Sequence, residues 1–506
     1  MPLYYDNDSI KKRRKPALFL FSFCDTMNMK RNDTQFENGR KVSNMRGIEA
    51  AFMVPHPPMI VPAVGRGSEA QIQKTIRAYE QVADEIARIR PETILITSPH
   101  QTMYADYFHI SPGAGAKGSF SDFRAPQVKF QETYDTELVD LICTLAEEQM
   151  LDAGTLGERE KRLDHGTMVP LWFVEQKYKD FKLVRIGLSG LPLSEHYRLG
   201  QILQEAVSLT KRRTVLIASG DLSHKLQDYG PYGFAEEGPK YDERIMDVCR
   251  RAAFGELFDF SDSFCEKAAE CGHRSFVIMA GAFDGIDVEA KALSHEDVTG
   301  VGYGICTFYP KGENPERCFL KQYREKLQEK IREQRSREDA YVRLARSSVE
   351  SYIREGRIMN IPEDLPEEML HTQAGAFVSI HEHGKLRGCI GTIAPVTECV
   401  AKEIIDNAIS ASTRDPRFDA ITEQELPWLE INVDVLGEPE DIDSQDQLDV
   451  KKYGVIVSSG SRRGLLLPDL DGVDTVSQQV LIARQKAGIR PGEKIKLQRF
   501  EVIRHT

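Results

Sequence analysis

From Glu49 onward, short apolar runs alternate with amphipathic stretches, the pattern of a sheet flanked by helices. Ala50 to Val54 is apolar throughout and breaks at Pro55-His56-Pro57-Pro58. A helix is predicted next, with Ser68 and Gln71 as a capping box and Ile72, Ile76, Tyr79, Ala83 and Ile86 on one face. Thr93 to Thr97 predicts a second buried strand, running into Ser98-Pro99-His100. Leu183 to Leu188 and Thr214 to Ala218 predict two more, the latter ending in Ser219-Gly220-Asp221-Leu222-Ser223-His224. Gly304 to Tyr309 closes this part, and Lys311 to Pro315 punctuates its end. His56, His100 and His224 therefore each follow a buried strand, and in open α/β sheets ligands bind at that carboxyl edge.

Gln322 to Arg337 is dense in both signs of charge with few apolar positions, which predicts a solvated joining helix. Beyond it come a helix carrying Tyr341, Leu344, Ala345, Val349 and Ile353, a hairpin of Ala376–Ile380 with Leu386–Ile390, and a helix from Val396 to Ser410. Leu429, Ile431, Val433 and Val435 alternate with Glu430, Asn432 and Asp434 as in a half-exposed strand, and Ile495–Leu497 and Phe500–Val502 add strand signals. The expected organisation is an extension at 1–47, an α/β domain at 48–312, a charged linker helix at 313–334 and a smaller α+β domain at 335–506. A length of 506 residues suits two such bodies.

Composition narrows the function classes. A net charge of -12 gives no general attraction to phosphate backbones, so nucleic acid is a poor default partner. Nine scattered cysteines without a CxxC pair fit a reducing, cytoplasmic setting. No apolar run reaches the roughly 18 residues of a membrane span. Lys11 to Lys15 followed by Ala17 to Phe23 superficially copies a secretory leader. It ends in Cys24-Asp25 without a small-residue cleavage pattern, so the expectation is an unstructured extension, or a natural start at Met45.

Four of the twelve histidines, His56, His100, His165 and His224, fall in Pro- or Gly-marked loops of the first domain. Neutral imidazole ligates iron, zinc and copper, and a site with two histidines and one further ligand leaves positions open for substrate and dioxygen. A lone histidine is more often packed or solvated; placement of three at strand ends favours a joint site. His295-Glu296-Asp297 reads as a solvated turn, His381-Glu382-His383 lacks a third ligand to close a metal site, Cys389 reads as a small buried hydrophobe, and Arg387, Arg414 and Arg417 form either an anion cluster or ordinary ion pairs.

Taken together, Pro55-His56-Pro57-Pro58, Ser98-Pro99-His100, Leu163-Asp164-His165-Gly166-Thr167 with Pro170-Leu171, and Ser219 to His224 resemble the four motifs, in order, of the class III extradiol dioxygenase and Memo superfamily. Leu386 to Gly391 and Thr413 to Phe418 resemble the AMMECR-type domain, and the fusion is similar to the AmmeMemoRadiSam system protein A family. The resemblance implies an α/β, Memo-like metal domain followed by an α+β AMMECR-type domain. It implies divalent iron, with copper and zinc as alternatives, a small aromatic catecholic substrate, dioxygen and a radical-SAM partner protein. It also implies His56 and His100 as metal ligands, His224 as the base that takes and returns a phenolic proton, and His165 as the residue orienting dioxygen or a substrate oxygen. For the third ligand, dioxygenase relatives supply a glutamate and Memo-like members a cysteine. Cys271 is preferred over Glu270, because Gly272 and His273-Arg274 follow it and a helix beginning there would stabilise a thiolate.

Overall fold

A computed structural model describes residues 47–382, 384–470 and 472–506; the leader-like segment and His383 lie outside them. The chain divides into two compact units between Arg324 and Glu325.

The first unit is built on strands β1 (Ile48–Val54), β2 (Thr93–Ser98), β3 (Lys182–Gly187), β4 (Thr214–Ser219), β5 (Ile286–Glu296) and β6 (Tyr303–Glu313), in the spatial order β3-β2-β4-β1-β6-β5. The first four are parallel, whereas β6 runs antiparallel to β1 and β5 antiparallel to β6. All six residues of β2 and of β4 are buried, as expected of strands covered on both faces. Helices Gln73–Ile89 and His165–Val174 pack into one core, and Thr136–Glu148, Leu193–Thr210, Glu237–Arg251 and His273–Gly281 into another on the opposite face. They are α1 and α3, and α2, α4, α5 and α6, respectively.

Two expectations fail here for local reasons. Ser68 does not cap a helix: Ser68–Ile72 forms a 3-10 turn, the Ser68 hydroxyl donates to the Gly65 carbonyl at 2.6 Å, and α1 begins at Gln73. His295 and Glu296 do not form a solvated turn. They end β5, where Glu296 is buried and accepts from both the amide and the hydroxyl of Thr75 at 2.7 Å, and His295 Nε2 pairs with Asp242 at 2.7 Å.

The second unit begins within α7 (Phe319–Arg337) and continues with α8 (Ala340–Glu355), β7 (Ala376–Glu382), β8 (Lys385–Gly391), α9 (Val400–Thr413), β9 (Leu429–Leu436), β10 (Tyr453–Ser459), β11 (Arg462–Leu466), α10 (Val476–Lys486) and β12 (Lys496–His505). Its sheet follows the order β8-β7-β9-β12-β10-β11. Helix α9 starts later than Val396, because the buried Glu403 carboxylate gathers the amides of Val396 and Thr397 at 3.1 Å and folds them back as a loop. The two strand signals near the end are one strand, β12. Its Arg504 pairs with Asp434 at 2.8 Å, which draws Asp434 into burial and breaks the alternation predicted for β9. Cys389 is half-buried rather than buried, with the Ser379 hydroxyl 3.2 Å from its sulfur.

Arg387 and Arg417 are committed to carboxylates, Glu425 at 2.7 Å and Asp415 at 2.7 Å. Asp415 also accepts from the Cys389 amide at 2.9 Å. The Arg417 guanidinium, helped by the amides of Cys389 and Arg417, pulls the buried Asp415 carboxyl down to about 2. A carboxyl depressed in the folded state stabilises above its unfolded value and loses that contribution as pH falls through the folded one. Asp415→Asn should therefore cost about 2 kcal/mol at pH 7, a difference shrinking between pH 4 and pH 2. Denaturant titrations of both proteins across that range check it; a difference independent of pH would contradict it.

Candidate metal centre

Adjacent parallel strands β2, β4 and β1 end at the same edge, and each releases a loop carrying site residues: His100 from β2, Asp221 and His224 from β4, His56 from β1. The fourth contributor is the N-terminal end of α6, which brings Cys271. Its approach is very close. A Cβ on Gly220 would sit 2.1 Å from the Gly272 Cα, so only glycine lets the β4 loop and the α6 entrance meet backbone to backbone.

At the meeting point, His56 Nε2 lies 2.9 Å from His100 Nε2 and 3.6 Å from Cys271 Sγ. The candidate ligand atoms of the three residues all fall within 4.8 Å of one another. The hydrogen bonds fix the tautomer of His56. The Ser219 hydroxyl donates to the Gly166 carbonyl at 2.6 Å, so its oxygen accepts from His56 Nδ1–H at 2.9 Å, and the Nε2 lone pair faces the cluster. The His56 amide donates to Asp221 Oδ1 at 2.7 Å, which fastens the β1 loop to the β4 loop. On the other side, the His100 amide donates to Ser98 Oγ at 3.2 Å, and the Ser98 hydroxyl donates to Asp164 Oδ1 at 2.5 Å. Asp164 also caps α3 through the Thr167 amide at 3.0 Å, so one carboxylate ties the His100 loop to the helix whose first residue is His165.

Electrostatics keep these rings neutral. Burial, then the neighbouring His165 and His224, holds His56 well below the usual imidazole range. Loss of hydration, then His56 and His165, does the same for His100, although part of that residue opens to solvent. His165 and His224 are also lowered by burial, against the opposing pull of nearby carboxylates. Burial, reinforced by Asp221 and Glu270, pushes the Cys271 thiol well up. A metal ion would reverse that preference, since a coordinating thiol is deprotonated. Two neutral imidazoles and a sulfur converging in this way fit a cation, which would take the place of the hydrogen shared between the two Nε2 atoms.

Glu270 is not a member of the group. Its Oε2 accepts from the His273 amide at 2.6 Å, so the carboxylate closes the N-terminus of α6, and burial raises it to about 7. Beside the cluster, Pro99, Met103, Leu188, Glu270, Cys271 and Arg274 line a narrow recess. The His165 ring sits 3.9 Å from that of His100 and 5.3 Å from that of Phe123, centroid to centroid. His224 stacks on Tyr232 at 5.0 Å, and its buried Nε2 has no hydrogen-bond partner among the described residues.

Residues 50–306 match the family described as the catalytic LigB subunit of aromatic ring-opening dioxygenase. A Clostridium acetobutylicum protein, CA_C1420, is 40% identical over 472 residues, spanning 90% of this chain and 99% of its own length. The chain belongs to the LigB family. Residues 342–505 match AMMECR1, so a LigB region is followed by an AMMECR1 region, the order expected from the motifs. A Thermotoga maritima protein is 48% identical over 170 residues, 33% of this chain and 98% of its own. Among solved structures, the uncharacterized protein PH0010 of Pyrococcus horikoshii is 30% identical, with a TM-score of 0.31 over 32% of this chain and 88% of its own.

Several residues of the LigB region that shape the cluster carried no separate role in the motifs. Ser98, Asp164, Ser219 and Asp221 lie inside those motifs, but their bonds to backbone amides and ring nitrogens are made only on folding. Asp242 lies far from any motif: it accepts from the Ser223 amide at 2.8 Å and pairs with His295, bracing the loop that bears His224.

Proposed function

We propose that this chain is a metal-dependent oxidoreductase of extradiol type, using dioxygen to oxidise a catecholic or similar small aromatic substrate. His56, His100 and Cys271 would hold the ion. The observation that carries this reading is the convergence of that trio with two further neutral imidazoles at one sheet edge. Divalent iron is the family expectation, while the soft thiolate also suits copper or zinc. A bound redox-active ion would supply electron transfer between ring and dioxygen and favour the ionised phenol. His224, neutral and with an Nε2 that has no partner among the described residues, takes the phenolic proton and later returns it. His165, between the His100 and Phe123 rings, is placed to orient a substrate oxygen. The AMMECR1 region is accessory in this reading, and the setting is cytoplasmic.

One feature favours a second reading, a metal-binding or interaction module working with a radical-SAM partner. Cys271, not the glutamate that resemblance to ring-cleaving dioxygenases implies, joins the two histidines, which changes the charge and softness of the site. Metal analysis of the full chain purified without oxygen, followed by oxygen-uptake measurements with catechol, separates the two. The proposal expects iron or copper and catechol-dependent uptake that a chelator abolishes. Zinc alone, or a redox-active ion with no uptake, supports the module.

A further inference from the structure

Large apolar side chains are exposed on the loop that follows His224 and on the turn bonded to it. Tyr229 is 73% exposed, Phe234 51%, Tyr232 45% and Val298 43%. Single exposed apolar residues need no explanation, but a contiguous group bordering a site does. Three of these four leave one short loop, and that loop is braced. An antiparallel bridge joins Leu226 to Phe234, the Gly230 amide donates to Gln227 O at 2.9 Å, and the Gly233 amide to Gly230 O at 3.2 Å. The turn bearing Val298 is pinned to the same loop. The Leu226 amide donates to Gly300 O at 3.2 Å, Gln227 Nε2 to Asp297 Oδ2 at 3.2 Å, and the Tyr229 hydroxyl to Val298 O at 3.4 Å. A Cβ on Gly300 would lie 2.6 Å from the Gly230 Cα, so the two turns touch through their backbones. The aromatic rings are thus held out to solvent by a fixed scaffold, the arrangement that lets rigid aromatics bind at low entropic cost.

The rim is continuous with the site through Tyr232, whose ring stacks on the His224 imidazole at 5.0 Å with 28° between planes. One face of Tyr232 belongs to the acid/base residue, and its remaining surface belongs to the rim. The four side chains together expose on the order of 400 Å², about half of the roughly 800 Å² that a stable protein partner covers on each side. That area suits a ring-sized group better than a protein.

We propose that Tyr229, Tyr232, Phe234 and Val298 receive an apolar, ring-sized extension of the substrate, so that the physiological substrate is larger than a single catecholic ring. This rests on the reading of the site given above. The ring to be oxidised lies at the metal and His224, and the extension leaves over Tyr232 towards Tyr229 and Phe234.

Equilibrium dialysis of the metal-loaded full chain against catechol and 4-phenylcatechol tests it, with Tyr229→Ser/Phe234→Ser as the variant. Both positions are exposed, so the variant folds with little loss of stability. The expected result is at least tenfold tighter binding of 4-phenylcatechol than of catechol by the parent, with that ratio falling towards one in the double variant. Equal affinities in the parent, or a ratio that survives the double substitution, overturn the rim. If neither catechol binds, the oxidoreductase reading fails, and biphenyl-4-ol, which lacks the vicinal oxygens, decides the rim separately. Binding by the parent that the double variant loses supports it; no binding, or the same binding by both, overturns it.

Discussion

His56→Ala and His100→Ala should each empty the site, lowering metal affinity by more than the roughly 10–100-fold typical when only an outer partner is removed. The expectation follows from how the cluster is assembled. His56 is fastened at three points: its amide to Asp221, its Nδ1 to Ser219, and its Nε2 beside His100 and Cys271. Alanine at position 56 removes a ligand and leaves the Ser219 oxygen without its ring donor. His100 depends on Ser98 and Asp164 for its backbone position, and its ring supplies the second nitrogen. With either ring gone, two candidate donors remain, too few to close a structural or catalytic site. Ser219→Ala, which spares both rings, should weaken binding only within that 10–100-fold range. Metal titration with a competing chelator gives all three values. Parental affinity in both alanine variants would mean that the ion is held elsewhere.

His224→Ala should behave in the opposite way, keeping its metal while losing turnover by about 10²–10⁴-fold, the usual contribution of a positioned acid/base. The ring does not belong to the ligand trio, and its buried Nε2 has no partner among the described residues. Burial holds it below the usual imidazole range even against Asp221, so near neutral pH it is ready to accept a proton. The residue is presented by the loop after β4, which Asp242 braces through the Ser223 amide, and it is covered by Tyr232. Metal content and catechol-dependent oxygen uptake, measured on the same preparation, separate the two functions. An emptied site would make His224 a ligand; undiminished uptake would give the proton transfer to another group.

The strands that position the site were legible because a parallel strand buried on both faces is an unbroken apolar run, and each run here stops at proline or glycine. What followed was legible only in part. Strand β5 carries an alternation, Ile286, Val288, Ala290 and Ala292 against Asp287, Glu289 and Lys291, but small and charged residues make it a weak signal. His295 and Glu296 look like a turn in sequence, because their partners, Asp242 and Thr75, are brought to them only by the fold. Similarly, Glu403 delays the start of α9 through bonds to amides that precede it. Adjacent side chains at 270 and 271 diverge, as consecutive residues of an extended or turn segment do. That Glu270 turns to the His273 amide and Cys271 to the histidines depends on where the N-terminus of α6 lies relative to three strand ends, a tertiary fact.

X-ray absorption on the metal-loaded full chain decides between those two residues. A thiolate ligand places a sulfur scatterer at about 2.3 Å from the ion, together with nitrogen or oxygen at about 2.0–2.2 Å. That sulfur shell is expected in the parent and in Glu270→Gln, and its loss in Cys271→Ser. A shell of nitrogen and oxygen alone in the parent, unchanged in Cys271→Ser and altered in Glu270→Gln, would contradict it and give the third position to the carboxylate.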